Sequence, residues 1–149
     1  MGEFNSDDHY IYYCGQESLR RNGVAITVNK SVRNVVLACN LKNDRMISVH
    51  FQGKPFNIIV IQVYAPTSNT EEDEVEWFYE DLKDLLKLTP KKYVLFIIGD
   101  LNAKVGNQKY LEEQASLALE YKMKQGKGKQ NSAKRIHCYT NTLFQQHKK

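Results

Sequence analysis

A carboxylate and an amide stand at the end of an apolar run near the middle of the chain. Asp100 and Asn102 follow residues 93–98 and Gly99, and the run predicts a strand buried on both faces. An Asp at the edge of a core can take a proton from an attacking water, and an Asn two residues on can hold a phosphate oxygen. Gly-Asp-x-Asn is also an ordinary turn sequence, and these residues alone favour the turn.

Length and composition indicate a single globular domain. The chain has 149 residues, of which 42% are hydrophobic and 11% aromatic. No apolar run approaches the roughly twenty residues of a membrane span, and the polar, acidic residues 1–8 do not resemble a signal peptide. Three widely spaced cysteines suit reduced intracellular thiols better than disulfides or a metal site, so we expect an intracellular protein that is not secreted.

Charge divides the chain into two segments. Residues 1–107 carry a net charge of −2 and residues 108–149 a net charge of +6. The basic, low-complexity stretch at 122–135 could bind nucleic acid weakly by neutralising phosphates. It could equally be a solvated, weakly ordered tail, and the composition favours that interpretation.

Strand and helix patterns predict how the Asp-Asn pair is positioned. The predicted strands are 10–13, 23–28, 32–41, 45–51 and 56–64, with 32–41 and 45–51 forming an antiparallel pair. The centre of 56–64 is continuously apolar, which predicts burial on both faces. The sequence therefore predicts a mixed α/β layered domain.

One helix is predicted between residue 64 and the central strand. It has hydroxyl and amide caps at 67–70, an acidic first turn at 71–74, and an apolar face made by Val75, Phe78, Leu82, Leu85 and Leu86. Beyond residue 107, residues 110–124 are compatible with a helix, and no strand pattern precedes the apolar pair at 143–144. The last third of the chain is therefore expected to add little core.

Three motifs then coincide in order and spacing. They are Gly-Val-Ala-Ile at 23–26, Val-Tyr-Ala-Pro at 63–66 and Ile-Gly-Asp-Leu-Asn-Ala at 98–103. Together they resemble the endonuclease/exonuclease/phosphatase superfamily, which has the DNase I-like fold. More narrowly, residues 1–107 are similar to the apurinic-endonuclease-type domain of non-LTR retrotransposons of the RTE clade, and the similarity resumes at 141–148. The resemblance implies a partial α/β sandwich in which this chain supplies roughly one of two sheets.

The resemblance also implies a chemistry, namely Mg²⁺-dependent hydrolysis of DNA phosphodiesters by water. Asp100 would orient and deprotonate the water, Asn102 would help to position Asp100 and the phosphate, and Tyr64 would hydrogen-bond the scissile phosphate. Without the family, Tyr64 could equally be an aromatic that packs beneath the helix. The implied location is nuclear.

Departures from the family decide the expected activity. The family's metal-binding glutamate belongs just upstream of Met1 and its closing Ser-Asp-His motif after the last residue, while His137 and His147 lie in no such context. Without the glutamate, Mg²⁺ lacks a strong anionic anchor. Residues 108–139 do not resemble the family, which suggests a reading-frame shift in a decayed element.

The sequence therefore predicts a truncated, retrotransposon-derived endonuclease-like domain without catalytic activity. Three alternatives remain. The first is a residual Mg²⁺-dependent nuclease, the second is a nucleic-acid or protein-binding module that uses the stretch at 122–135, and the third is a gene product without function.

Overall fold

The structure is a computed structural model that describes residues 2–15, 22–67, 70–90 and 92–100, together with the backbone of residues 136–140. Eight strands and one α-helix lie in these ranges. In chain order they are β1 (Gly2–Asn5), β2 (His9–Gly15), β3 (Gly23–Asn29), β4 (Val36–Asn43), β5 (Met46–Phe51), β6 (Ile58–Tyr64), α1 (Glu72–Leu88), β7 (Val94–Asp100) and β8 (Ile136–Thr140). A 3-10 helix, Lys30–Val35, connects β3 to β4.

The strands form two sheets, so the mixed α/β prediction is confirmed. One sheet has the antiparallel order β1-β2-β3, and the other has the order β4-β5-β6-β7-β8. In the larger sheet β4, β5 and β6 are antiparallel, whereas β7 is parallel to both β6 and β8. The expectation that the chain supplies only about one sheet is therefore wrong.

The smaller sheet is built mainly on β2 and β3, which were predicted as strands but not as a separate sheet, and two further strands were not predicted at all. β1 is a four-residue strand paired with β2, and β8 pairs with β7 inside the basic segment, where no strand was expected before residue 143. Both are short and neither alternates clearly between apolar and polar residues. β1 is held by a hairpin with the next strand, β2, whereas β8 is held by pairing with β7, which is distant in the sequence.

The larger sheet is the middle layer of three. Helix α1 covers one face and the smaller sheet covers part of the other, with a core on each side. The fully buried helix-side residues include Ile59, Ile61, Val63, Leu82, Leu86, Leu95 and Ile97, and the inter-sheet core contains Tyr12, Cys14, Val24, Val28, Ile47 and Val49.

The prediction that residues 56–64 and 93–98 are buried on both faces is wrong for one face. Ile59 and Ile61 in β6 and Leu95 and Ile97 in β7 are buried, but the residues between them are only half-buried. The smaller sheet packs mainly over β4, β5 and β6. The helix-distal face of β7 is therefore less completely covered, although the strand is central in its sheet.

The predicted strand 32–41 also needs correction, because its first residues belong to the 3-10 helix. The side chain of Asn29 accepts a hydrogen bond from the backbone N–H of Ser31 at 2.9 Å and caps that helix, and β4 begins only at Val36. A capping Asn side chain stabilises a helical turn at the expense of an extended strand. The β-branched residues of this stretch favour a strand, so the sequence pattern did not indicate the helical turn.

Helix α1 agrees with its predicted position, acidic first turn and buried face. Phe78, Leu82, Leu85 and Leu86 are buried as expected, and Val75 is half-buried. The N-cap is Glu71, one residue beyond the predicted range 67–70, and its side chain makes no capping bond. Among the described helices, none is long and apolar enough to cross a membrane.

His50 on β5 makes stability depend on pH. Its ring meets that of Tyr93 edge-on at 6.2 Å between centroids, and burial lowers the pKa of the imidazole. The unfolded chain therefore binds more protons than the folded chain near the ordinary histidine pKa of about 6.5. We expect the free energy of unfolding to decrease as pH falls below about 6.5.

Urea denaturation of the wild type and of His50→Gln, from about pH 7.5 to about pH 5, measures this dependence. The variant is expected to lose less stability on acidification than the wild type. Equal losses would show that burial of His50 does not contribute to the pH response.

Candidate functional site

Tyr64 and Asp100 are brought together at the carboxyl ends of two adjacent parallel strands. Tyr64 closes β6, Asp100 closes β7, and the two residues are direct partners in the register of the pair. The ladder continues one step further, since the backbone N–H of Ala65 donates to the carbonyl oxygen of Asp100 at 2.8 Å. Neighbouring strands lie about 4.8 Å apart, so both side chains start from one small patch. Tyr64 is half-buried and Asp100 is exposed.

Gly99 permits the close approach of the two strands just before Asp100. Its φ of +134° lies in a region that L side chains rarely adopt, and a Cβ there would lie 1.9 Å from the carbonyl oxygen of Val63. The glycine thus sets where β7 ends and from which point the Asp100 side chain leaves the sheet.

Arg45, in the turn just before β5, contacts Tyr64. Its guanidinium lies 5.5 Å from the centre of the Tyr64 ring, and Nη1 donates to the Tyr64 carbonyl oxygen at 3.4 Å. Nη2 of Arg45 forms an ion pair with Glu74 in the first turn of α1. The Arg45 side chain is 13% exposed and the Glu74 side chain 44% exposed, so this charge-assisted contact is partly shielded from solvent. The strand end and the helix start are thereby fixed to one another.

Sequence reasoning missed the contribution of Arg45 and Glu74. The acidic turn at 71–74 was interpreted only as a helix start, and Glu74 has the second role of binding Arg45. The two residues are 29 positions apart. No spacing rule links residues at that distance, so only the packing of α1 on the sheet reveals the pair.

The alternative role for Tyr64 was an aromatic side chain that packs beneath helix α1, and the structure places it elsewhere. It lies against the inter-sheet cluster that contains Ile47 and Val49 and not beneath the helix. Of the three predicted site residues, Asn102 lies outside the described residues. Its expected role beside Asp100 stays a prediction.

The described side chains at this edge do not by themselves form a Mg²⁺ site. Mg²⁺ prefers oxygen ligands in octahedral geometry and usually needs one or two carboxylates together with substrate oxygens. Asp100 supplies one carboxylate, but that of Glu74 is bound to Arg45. Within the described ranges, no group of three or more His, Cys, Asp and Glu side chains is arranged to hold a metal ion. No chemical step is therefore assigned to a metal here.

The arrangement is suited to contact with a phosphodiester. A phenol and an exposed carboxylate provide a neutral hydrogen-bond donor and a proton acceptor. The positive charge of the nearby Arg45 guanidinium is paired with Glu74.

The described cysteines have no features of reactive thiols. Cys14 is buried and its Sγ donates to the Met46 carbonyl oxygen at 3.5 Å, and burial raises the pKa of its thiol. Burial also raises the pKa of Cys39 to about 11. Nucleophilic cysteines need a lowered pKa, so both thiols suit structural roles. Cys138 and the adjacent His137 lie in β8, of which the structure describes the backbone alone.

Comparison with known proteins gives two strong similarities. The chain is 63% identical over 155 aligned residues to craniofacial development protein 2 of Bos taurus, and 60% identical over 155 to the protein of that name in Tragulus javanicus. Each alignment covers 98% of this chain, but only 25% and 26% of the respective relative. No protein-family model matches the chain. The chain therefore spans about a quarter of the length of the curated relatives it matches, and over that quarter it is closely similar to craniofacial development protein 2.

Proposed function

We propose that this chain is an endonuclease-like domain of the DNase I-like type, derived from a retrotransposon, that presents Tyr64 and Asp100 to a DNA phosphodiester. We further propose that the chain alone is not a competent nuclease and that its partner is DNA in the nucleus. The observation that carries the proposal is the pairing of Tyr64 with Asp100 at the ends of two parallel strands.

Three features of the domain support this assignment. Residues 63–64 of the first motif and residues 98–100 of the second lie in adjacent strands whose ends coincide, which is the arrangement that a shared phosphate site requires. Two sheets and a helix are consistent with a partial α/β sandwich. The partly buried Arg45 contact fixes the Tyr64 strand end, and a fixed first contact lowers the ordering cost of binding.

The proposal that the chain alone does not cleave rests on the donor set at this edge. Metal-assisted hydrolysis needs an anchored cation, and Glu74, the second carboxylate near Tyr64, is bound to Arg45. Loss of one member of a concerted site commonly lowers the rate by several orders of magnitude.

A second candidate function is nucleic-acid binding through the basic stretch at 122–135. The net charge of +6 over residues 108–149 favours it, because clustered lysines bind phosphates irrespective of sequence. In this second candidate the bound DNA contacts residues 122–135, whereas in the first it contacts Tyr64 and Asp100.

Binding of a fluorescently labelled abasic duplex without Mg²⁺, followed by anisotropy, separates the two candidates. Tyr64→Phe removes one hydrogen bond to phosphate and is expected to weaken binding roughly two- to tenfold. Asp100→Asn removes a carboxylate that repels phosphate and is expected to tighten it. Tyr13→Phe, which removes a hydroxyl from a 41% exposed residue of the smaller sheet, is the matched control and should leave affinity unchanged.

A different set of results would favour binding through the basic stretch at 122–135. If Tyr64→Phe and Asp100→Asn bind as the wild type does, and replacing the six basic residues of 122–135 by Gln abolishes binding, the phosphodiester site is wrong. The basic stretch would then be the binding element.

A further inference from the structure

We propose that the outward side of α1 is a docking surface for a basic, amphipathic polypeptide segment. The surface, here called the α1 outer face, consists of Asp73, Trp77, Glu80, Asp84 and Leu88. At 100° per residue these side chains leave the helix within a stripe about 80° wide. This inference does not depend on the phosphodiester site.

Two large apolar side chains on this face are open to solvent. Trp77 is 65% exposed and Leu88 is 69% exposed, although they belong to the helix that buries Phe78, Leu82, Leu85 and Leu86. Eleven residues separate them, which is three turns and about 16 Å along one side of the helix. Tryptophan is enriched among the residues that contribute most to protein interfaces. The pair therefore provides two apolar anchors with the spacing of an amphipathic helix.

The polar side chains around these anchors are acidic. Helix α1 carries seven carboxylates and two lysines, although the whole chain has a net charge of +4. Glu74, Asp81 and Asp84 form salt bridges with Arg45, Lys42 and Lys87.

Other carboxylates beside Trp77 have no such neutralisation. Within the described part of the chain, Asp73, Glu76 and Glu80 form no salt bridge. Asp73 lies four residues before Trp77 and Glu80 three residues after it, so these two carboxylates flank its side chain with negative charge.

Charge decides which occupant the surface can accept. Nucleic acid and an anionic membrane are repelled by this face, and a second copy would bring its own acidic face against it. Lysine and arginine side chains would pair with the carboxylates and stack over the Trp77 ring. Apolar residues at helical spacing in the same segment would cover Trp77 and Leu88.

Trp77 also supplies the test, because it is the only tryptophan in the chain. The probe is a synthetic helical peptide of Leu and Lys at amphipathic spacing, and its control has Glu in place of every Lys. The Leu/Lys peptide should shift the Trp77 emission to shorter wavelength with saturable binding, and added salt should weaken that binding. The Leu/Glu peptide should do neither.

Variants of the full chain show whether the α1 outer face is the surface used. With a labelled peptide, Trp77→Ala should weaken binding about tenfold, and Leu88→Ala and Glu80→Lys should each weaken it several-fold. Phe56→Ala removes a 54% exposed side chain from a different surface and should leave affinity unchanged. Circular dichroism of every variant checks that it is folded.

Three results would overturn the proposal. They are absence of saturable binding, equal binding of the Leu/Lys and Leu/Glu peptides, and equal affinity of Leu88→Ala, Glu80→Lys and Phe56→Ala. Self-association of the chain that depends on Trp77 would also contradict it, because the occupant would then be a second copy.

Discussion

Gly99→Ala is expected to destabilise the domain by about 3 kcal/mol or more. The added Cβ would lie 1.9 Å from the Val63 carbonyl oxygen, and alanine rarely adopts a φ of +134°. Relief requires the end of β7 to move away from β6, which would break the ladder at Tyr64 and Asp100. Urea denaturation measures the loss as a decrease in the free energy of unfolding.

Gly23→Ala is the matched control for this substitution. A Cβ at Gly23 would lie 3.4 Å from the carbonyl oxygen of Cys14, an ordinary contact distance, and its backbone has no positive φ of the kind found at Gly99. We expect its effect on the free energy of unfolding to stay within about 1 kcal/mol. If the two variants were equally stable, the close approach of β6 and β7 would not require a glycine.

Leu82→Ala is expected to lower the free energy of unfolding by about 2 to 5 kcal/mol. Leu82 is 1% exposed and lies in the core between α1 and the larger sheet. Its truncation leaves a cavity where the helix meets β6 and β7, so the cost includes lost contacts as well as lost burial. A loss of this size is a large fraction of the 5–15 kcal/mol typical of a domain.

Leu88→Ala is the matched control for Leu82→Ala, because it makes the same substitution in the same helix at an exposed position. Leu88 is 69% exposed, so its truncation should change the free energy of unfolding by less than about 0.5 kcal/mol. Thermal or urea unfolding of both variants tests the layering of α1 on the sheet. Equal effects at Leu82 and Leu88 would contradict the helix orientation described here.

The helix and the strands of the core were predictable because their patterns are local. The apolar spacing from Phe78 to Leu86 and the acidic first turn located α1 correctly, and the apolar run before Asp100 located β7. Burial of that run was overestimated because the extent of a neighbouring sheet cannot be read from the run itself. Continuous apolar sequence therefore predicts a central strand better than it predicts complete coverage.

Non-local pairing limited the rest of the fold prediction. β1 is short and partly acidic, and β8 lies in a segment whose basic composition suggested a tail. Each is a strand because a neighbour supplies the hydrogen bonds. For β8 that neighbour is β7, far away in the sequence, whereas β1 pairs with the next strand and was missed because it is short.

In the candidate site, too, local motifs were predictable from the sequence and non-local contacts were not. Tyr64 and Asp100 were proposed from motifs, and the register shows that they are adjacent. The Arg45–Glu74 ion pair depends on how α1 packs against β5 and β6, and no local pattern could reveal it.

We propose that this chain presents an endonuclease-like edge but does not cleave DNA alone. The most direct measurement is incubation of the folded, purified chain with supercoiled plasmid and abasic duplex in Mg²⁺, beside Asp100→Ala and an EDTA control. We expect no nicking above the two controls. Cleavage by the wild type that both Asp100→Ala and EDTA abolish would contradict it, and would show that the remaining metal ligands come from elsewhere in the chain.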